Sequence, residues 1–139
     1  GVVVEHRNCV GFVEAAQEKY DVSTSGERVL QLSNVGFDIW LEEFALSLLC
    51  GNTLVIPKGG NEAILAEFWD FIERSEISII SFPTAMLNSL AIDDALRIVP
   101  SLKTCIVGGD VFSVGTWRAW NRVFSDRVKL FNSYGPTEA

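Results

Sequence analysis

Histidines, paired cysteines, basic clusters and long apolar runs are what this chain lacks, and each shortage closes off a class of function. His6 is the only histidine among 139 residues. No second histidine and no Ser-His-Asp arrangement accompanies it, so hydrolase chemistry has no support. The cysteines are Cys9, Cys50 and Cys105, odd in number and widely spaced, with no CxxC pair. Neither a zinc site nor a disulfide framework follows from that pattern, and all three are expected to behave as small apolar residues of a reducing compartment. Acidic residues outnumber basic ones, 18 to 11, for a net charge of -7. Without a basic stripe to neutralise phosphates, nucleic acid is excluded as a partner. No apolar run reaches the roughly 18–20 residues of a membrane span, and no signal-peptide pattern opens the chain. The expected location is cytoplasmic, with no membrane contact.

What is present is apolar and rhythmic. Nearly half the residues are hydrophobic and fifteen are aromatic (nine Phe, four Trp, two Tyr), enough for one domain with a core. His6 to Tyr20 reads as a helix, with Val10, Val13, Ala16, Gln17 and Tyr20 at three-to-four-residue spacing. Arg28–Ser33, Thr53–Ile56, Ile77–Phe82, Leu102–Val107 and Val128–Phe131 read as strands. Between them, residues 38–50 form a helix apolar nearly all round and therefore expected to be buried, ended by Gly51. An amphipathic helix carries Ile64, Leu65, Phe68, Phe71 and Ile72, with Asn61 as N-cap. Pro83 opens a short helix, and Ser113 caps the last, which carries Val114, Trp117, Trp120 and Phe124. This βαβα alternation predicts an α/β fold, a mainly parallel sheet with helices on both faces, and a single unit over 1–139 with no internal boundary.

Four strings carry possible chemistry. In FDIWLEE (37–43), Asp38 and Glu42 are four apart, so both carboxylates project from one helix face. A cation held between them would offset their repulsion. The plain structural reading has Asp38 capping the helix while Glu42 and Glu43 favour its positive end. In CIVGGD (105–110), two glycines follow a strand and precede a helix, where backbone can approach a ligand closely; glycines in an ordinary turn are the bland alternative. NSYGPTEA (132–139) offers Tyr134 as a stacking face, Thr137 as a hydroxyl and Glu138 as a hard oxygen ligand suited to magnesium. The fourth string is the opening GVVVEHRN, in which His6 reads as a helix N-terminal structural residue.

Together, in this order, these strings resemble the adenylation domains of nonribosomal peptide synthetases, within the adenylate-forming superfamily. GVVVEHRN is similar to the tail of that family's phosphate-loop motif. FDIWLEE is similar to its FDxS-type motif, with Trp40 where serine is usual, and NSYGPTEA matches NxYGPTE in full. The resemblance implies activation of an amino acid by ATP and magnesium to an aminoacyl adenylate with release of pyrophosphate. Transfer to the phosphopantetheine thiol of a peptidyl carrier domain follows, with a condensation domain as a further partner. It implies that Asp38 pairs with the α-ammonium of the substrate, that Gly108, Gly109, Asp110, Asn132, Tyr134 and Gly135 bind the nucleotide, that Thr137 and Glu138 are catalytic, and that Glu138 ligates magnesium. His6 receives no proton-transfer role.

The side-chain pocket implied by the resemblance consists of Ile39, Glu42, Ser81, Ile106, Gly108 and Ser133, with further positions beyond Ala139. Glu42 among apolar and small residues favours a long cationic side chain, lysine before ornithine or arginine. An acyl- or aryl-CoA ligase of the same superfamily is the alternative, although Asp38 would then lack an amine partner. A noncatalytic α/β binding module is another. The family's phosphate loop is expected before Gly1, and its ribose-binding aspartate, hinge and small domain with a catalytic lysine after Ala139. The 139 residues alone are therefore expected to hold the substrate pocket without being a competent enzyme.

Overall fold

The computed structural model describes residues 1–92 and 95–137. It has five parallel strands in the order β2-β1-β3-β4-β5: β1 (Arg28–Leu30), β2 (Thr53–Val55), β3 (Ile79–Pro83), β4 (Thr104–Gly108) and β5 (Lys129–Asn132). Helices α1 (His6–Tyr20), α2 (Asp38–Phe44), α3 (Phe68–Arg74), α4 (Thr84–Ile92) and α5 (Val114–Phe124) connect and cover them. The predicted α/β class holds. Among the described residues, no helix is long and apolar enough to cross a membrane.

Side-chain alternation along the strands explains the two cores. Ile80, Phe82, Cys105 and Val107 join Phe68, Ile72, Trp120 and Phe124 on one face, packed by α3, α4 and α5. One residue out of step, Val29, Ile79 and Ile106 join Ala16, Tyr20 and Leu46 on the face covered by α1. Both faces being buried, the strands read as continuous apolar runs rather than alternating ones. The second face also sets the site. Continuing its two-residue period past Ile79 and Ile106 leads to Ser81 and Gly108 at the carboxyl ends of β3 and β4.

Helix boundaries follow local chemistry, with four departures from expectation. Ser113 caps α5 as predicted, its Oγ accepting from the Thr116 amide at 3.0 Å. Asp38 is not a cap; Phe37 occupies that position in extended backbone and Asp38 is the first helical residue. Asn61 is not a cap either. Gly60 precedes a 3-10 segment, Asn61–Glu67, that runs into α3, and the Asn61 amide instead donates to the Leu32 carbonyl. Pro83 closes β3 rather than opening α4. The 38–50 segment switches after Phe44 to a π-helical turn, Ala45–Leu49. Ala45 and Leu46 are buried there while Leu48 and Leu49 face outward, so the segment is one-sided rather than buried all round.

Candidate active site

At the carboxyl ends of the strands, α1, α2, β3, β4 and the turn after β5 enclose a cavity of about 350 Å³. Parallel α/β sheets place ligand sites at this end, where strands stop and loops diverge. All seven side-chain and ammonium positions expected from the sequence line it: Asp38, Ile39, Glu42, Ser81, Ile106, Gly108 and Ser133. Gly109, Tyr134, Gly135 and Thr137 line it too. Residues from four separate strings, up to a hundred positions apart, thus meet in one place.

Glu42 dominates its chemistry. Projecting from the second turn of α2, its Oε1 accepts from Ser81 Oγ at 2.7 Å. Burial raises the carboxyl above its ordinary value; the Ser81 and Tyr20 hydroxyls pull it back, and the neighbouring charge of Asp38 adds to the rise. Among the described residues, no Lys, Arg or His lines the cavity. A cation that compensates Glu42 from the cavity side would therefore come from a ligand.

Asp38 sits one turn earlier and exposed, its Oδ2 accepting from Thr137 Oγ1 at 2.6 Å. That bond joins the FDIW string directly to YGPT. Gly108 is close-packed: a Cβ there would meet the Ser133 carbonyl oxygen at 3.2 Å, and the Gly108 carbonyl accepts from Thr84 Oγ1 at 2.8 Å. Gly109 follows with φ of +89°, a conformation that side chains resist. Tyr134 is 95% exposed at the rim, its ring face free. A shelf of glycine backbone beside an open aromatic ring fits a flat heterocycle such as adenine.

Two expected positions are not brought into the cavity. Asp110 folds onto its own loop, its Oδ1 accepting from the Val111 amide at 2.6 Å, and Asn132 lies exposed at the end of β5, outside the lining. Glu138 lies outside the described residues, and among those described no cluster of three His, Cys, Asp or Glu residues could hold a metal. Sequence reasoning missed Val4, Asn8, Cys9 and Phe12, which bring the start of the chain and α1 to the cavity, and also Leu41, Phe82 and Pro136. The α1 periodicity marks its buried face but carries no sign of which flank meets a cavity.

A model of the AMP-binding enzyme family matches residues 1–139. The chain belongs to the AMP-binding enzyme family. Isonitrile lipopeptide synthase of Streptomyces coeruleorubidus is 33% identical over 142 residues, covering 100% of this chain and 10% of that protein. Nonribosomal peptide synthetase 8 of Aspergillus fumigatus is 34% identical over 138 residues, covering 99% of this chain and 2% of that protein. Among solved structures, the Vibrio cholerae adenylation domain AlmE, in complex with glycyl-adenosine-5'-phosphate, superposes with a TM-score of 0.81 at 21% identity, over 99% of this chain and 25% of that one. This last likeness is one of fold. The chain spans a tenth or less of the length of these two curated relatives.

Proposed function

We propose that the protein carrying this chain activates a basic amino acid, lysine before ornithine or arginine, for nonribosomal peptide synthesis. The carboxylate of the amino acid attacks the α-phosphorus of ATP. An aminoacyl adenylate forms and pyrophosphate leaves; the phosphopantetheine thiol of a carrier domain then attacks its carbonyl, forming a thioester and releasing AMP. The observation that carries the substrate assignment is Glu42, a half-buried carboxylate on the wall of a cavity without a lining cation among the described residues. A cationic side chain reaching it would relieve the desolvation that raises its pKa.

The other residues take their roles around that anchor. Asp38 binds the α-ammonium, exchanging its bond to Thr137 for a charge-assisted one. The small Ser133 leaves room for a long side chain, Gly108 lines it with backbone, and Ile39 and Ile106 flank its methylenes. Gly109 and Gly135 bring backbone close to adenine, Tyr134 stacks on it, and Thr137 turns its hydroxyl to the phosphates. Asp110 and Asn132 border this nucleotide side from outside the lining. Glu138 is assigned to magnesium, which when bound offsets the charge of departing pyrophosphate. Carrier and condensation domains are the expected partners, in the cytoplasm.

ATP–pyrophosphate exchange by the full-length protein over an amino-acid panel tests this reading. Lysine, ornithine and arginine should lead. A neutral or acidic amino acid at the head of the panel would reject the substrate assignment, and no exchange with any amino acid would reject amino-acid activation.

A further inference from the structure

Thr137 stands on the nucleotide side of the cavity, yet its hydroxyl is committed to the amino-acid side. It follows Tyr134, Gly135 and Pro136 in the turn after β5. Its Oγ1 donates to Asp38 Oδ2 at 2.6 Å, across 99 positions of sequence. Asp38 is the first residue of α2, exposed, one turn before Glu42 on the same helix face. Both Asp38 and Thr137 line the cavity. A threonine hydroxyl carries a single proton, and an ionised carboxylate or phosphate has none to offer. Thr137 can therefore donate to Asp38 or to a phosphate at any moment, not to both.

We propose that the Asp38–Thr137 hydrogen bond is an autoinhibitory latch that couples the two substrates, so that an amino acid and ATP each open the site for the other. This rests on the reading of Asp38 as the α-ammonium partner and of Thr137 as a phosphate contact. The bond satisfies the Asp38 carboxylate within the chain itself. An α-ammonium displaces it with a charge-assisted donor, and the freed hydroxyl then turns to a phosphate with no bond left to break. ATP arriving first draws the hydroxyl away and leaves Asp38 open to the ammonium. The two ligands need not touch, and by linkage the gain is the same in both directions. A latch closed about nine-tenths of the time withholds about tenfold in affinity from whichever ligand arrives first. Thr137 is exposed, so its swing displaces no core side chain.

Calorimetric titration of the full-length protein tests this with the amino acid that leads the exchange panel, lysine on the reading above. The second ligand is α,β-methylene-ATP, which binds without reacting. Wild type should bind lysine about tenfold tighter when saturated with the analogue. ε-Aminocaproate, which is lysine without its α-amine, should show no such gain. Thr137→Val keeps the shape and removes the hydroxyl. It should bind lysine alone about tenfold tighter than wild type does, and the gain from the analogue should vanish. Thr137→Ser, which retains a hydroxyl, should behave as wild type. A Thr137→Val protein that binds lysine no tighter than wild type overturns the latch, as does a gain from the analogue that survives the substitution. Analogue-saturated wild type that binds lysine no better than ε-aminocaproate overturns Asp38 as the ammonium partner instead, and with it the reading on which the latch rests.

Discussion

Glu42 and Glu43 are neighbours in one short helix and meet opposite surroundings. Glu42 faces a cavity and the Ser81 hydroxyl. Glu43 is fully buried and accepts from the amides of Leu32 and Ser33, at 3.1 and 2.9 Å to the same oxygen, pinning the segment after β1 onto α2. Glu42→Gln should therefore lower the preference for lysine over norleucine tenfold or more in pyrophosphate exchange. Its thermal unfolding midpoint should be unchanged or raised, because a desolvated charge is removed. Burial pushes the Glu43 carboxyl up to about 7 from an ordinary 4.5. A carboxyl with a raised folded pKa makes the native state the better proton binder, so its contribution is full below about pH 4.5 and is lost as pH rises through about 7. The loss is on the order of 3 kcal/mol. Urea unfolding across that window should show stability falling with pH, and Glu43→Gln should flatten the slope while Glu42, shifted in the same direction, keeps some of it. Of these two residues only Glu42 is legible as functional from sequence. Glu43 reads there as a favourable charge near a helix start, because nothing in a linear string reveals that two amides from residues 32 and 33 will fold back over it.

Elements differ in how openly the sequence declares them. The five strands and five α-helices follow from apolar runs bounded by glycine, proline and polar loops, and that signal is local. The π-helical turn at Ala45–Leu49 is not: it depends on Ser47 Oγ bonding the Glu43 and Phe44 carbonyls and on the Asn52 amide reaching back to the Ser47 carbonyl. Asn61 likewise has the right residue type for a cap, but tertiary pairing with Leu32 claims its side chain. Gly51, by contrast, is legible as a helix end and is demanding in place. Its φ is +73°, and a Cβ would lie 2.9 Å from the Thr24 carbonyl oxygen. Gly51→Ala should cost about 2 kcal/mol or more, since left-handed strain and a backbone clash add. Ser113→Ala, which removes the cap of α5, should cost about 1 kcal/mol. Denaturant midpoints at constant m-value would measure both. Cavity residues divide along the same line: those at strand ends announce themselves by motif, whereas Asn8, Cys9 and Phe12 enter only because of how α1 lies on the sheet.

At the scale of the molecule, both sheet faces are covered while β2 and β5 remain the edges of the described sheet. Large apolar side chains also stand in solvent, among them Val3, Val35, Phe37 and Val111. Open edges and exposed apolar side chains favour association, so sedimentation velocity of the 139-residue chain by itself should show species that grow with concentration. A single monomeric boundary at all concentrations would contradict this. The cavity has a consequence for anyone seeking to alter it. Its walls are drawn from places between Val4 and Thr137, and its carboxylates, Glu42 and Asp38, accept from hydroxyls on other elements, Ser81 and Thr137. Specificity here is not a cassette. A loop exchanged between two such proteins would carry the letters of the pocket and leave behind the hydroxyls that give those letters their meaning.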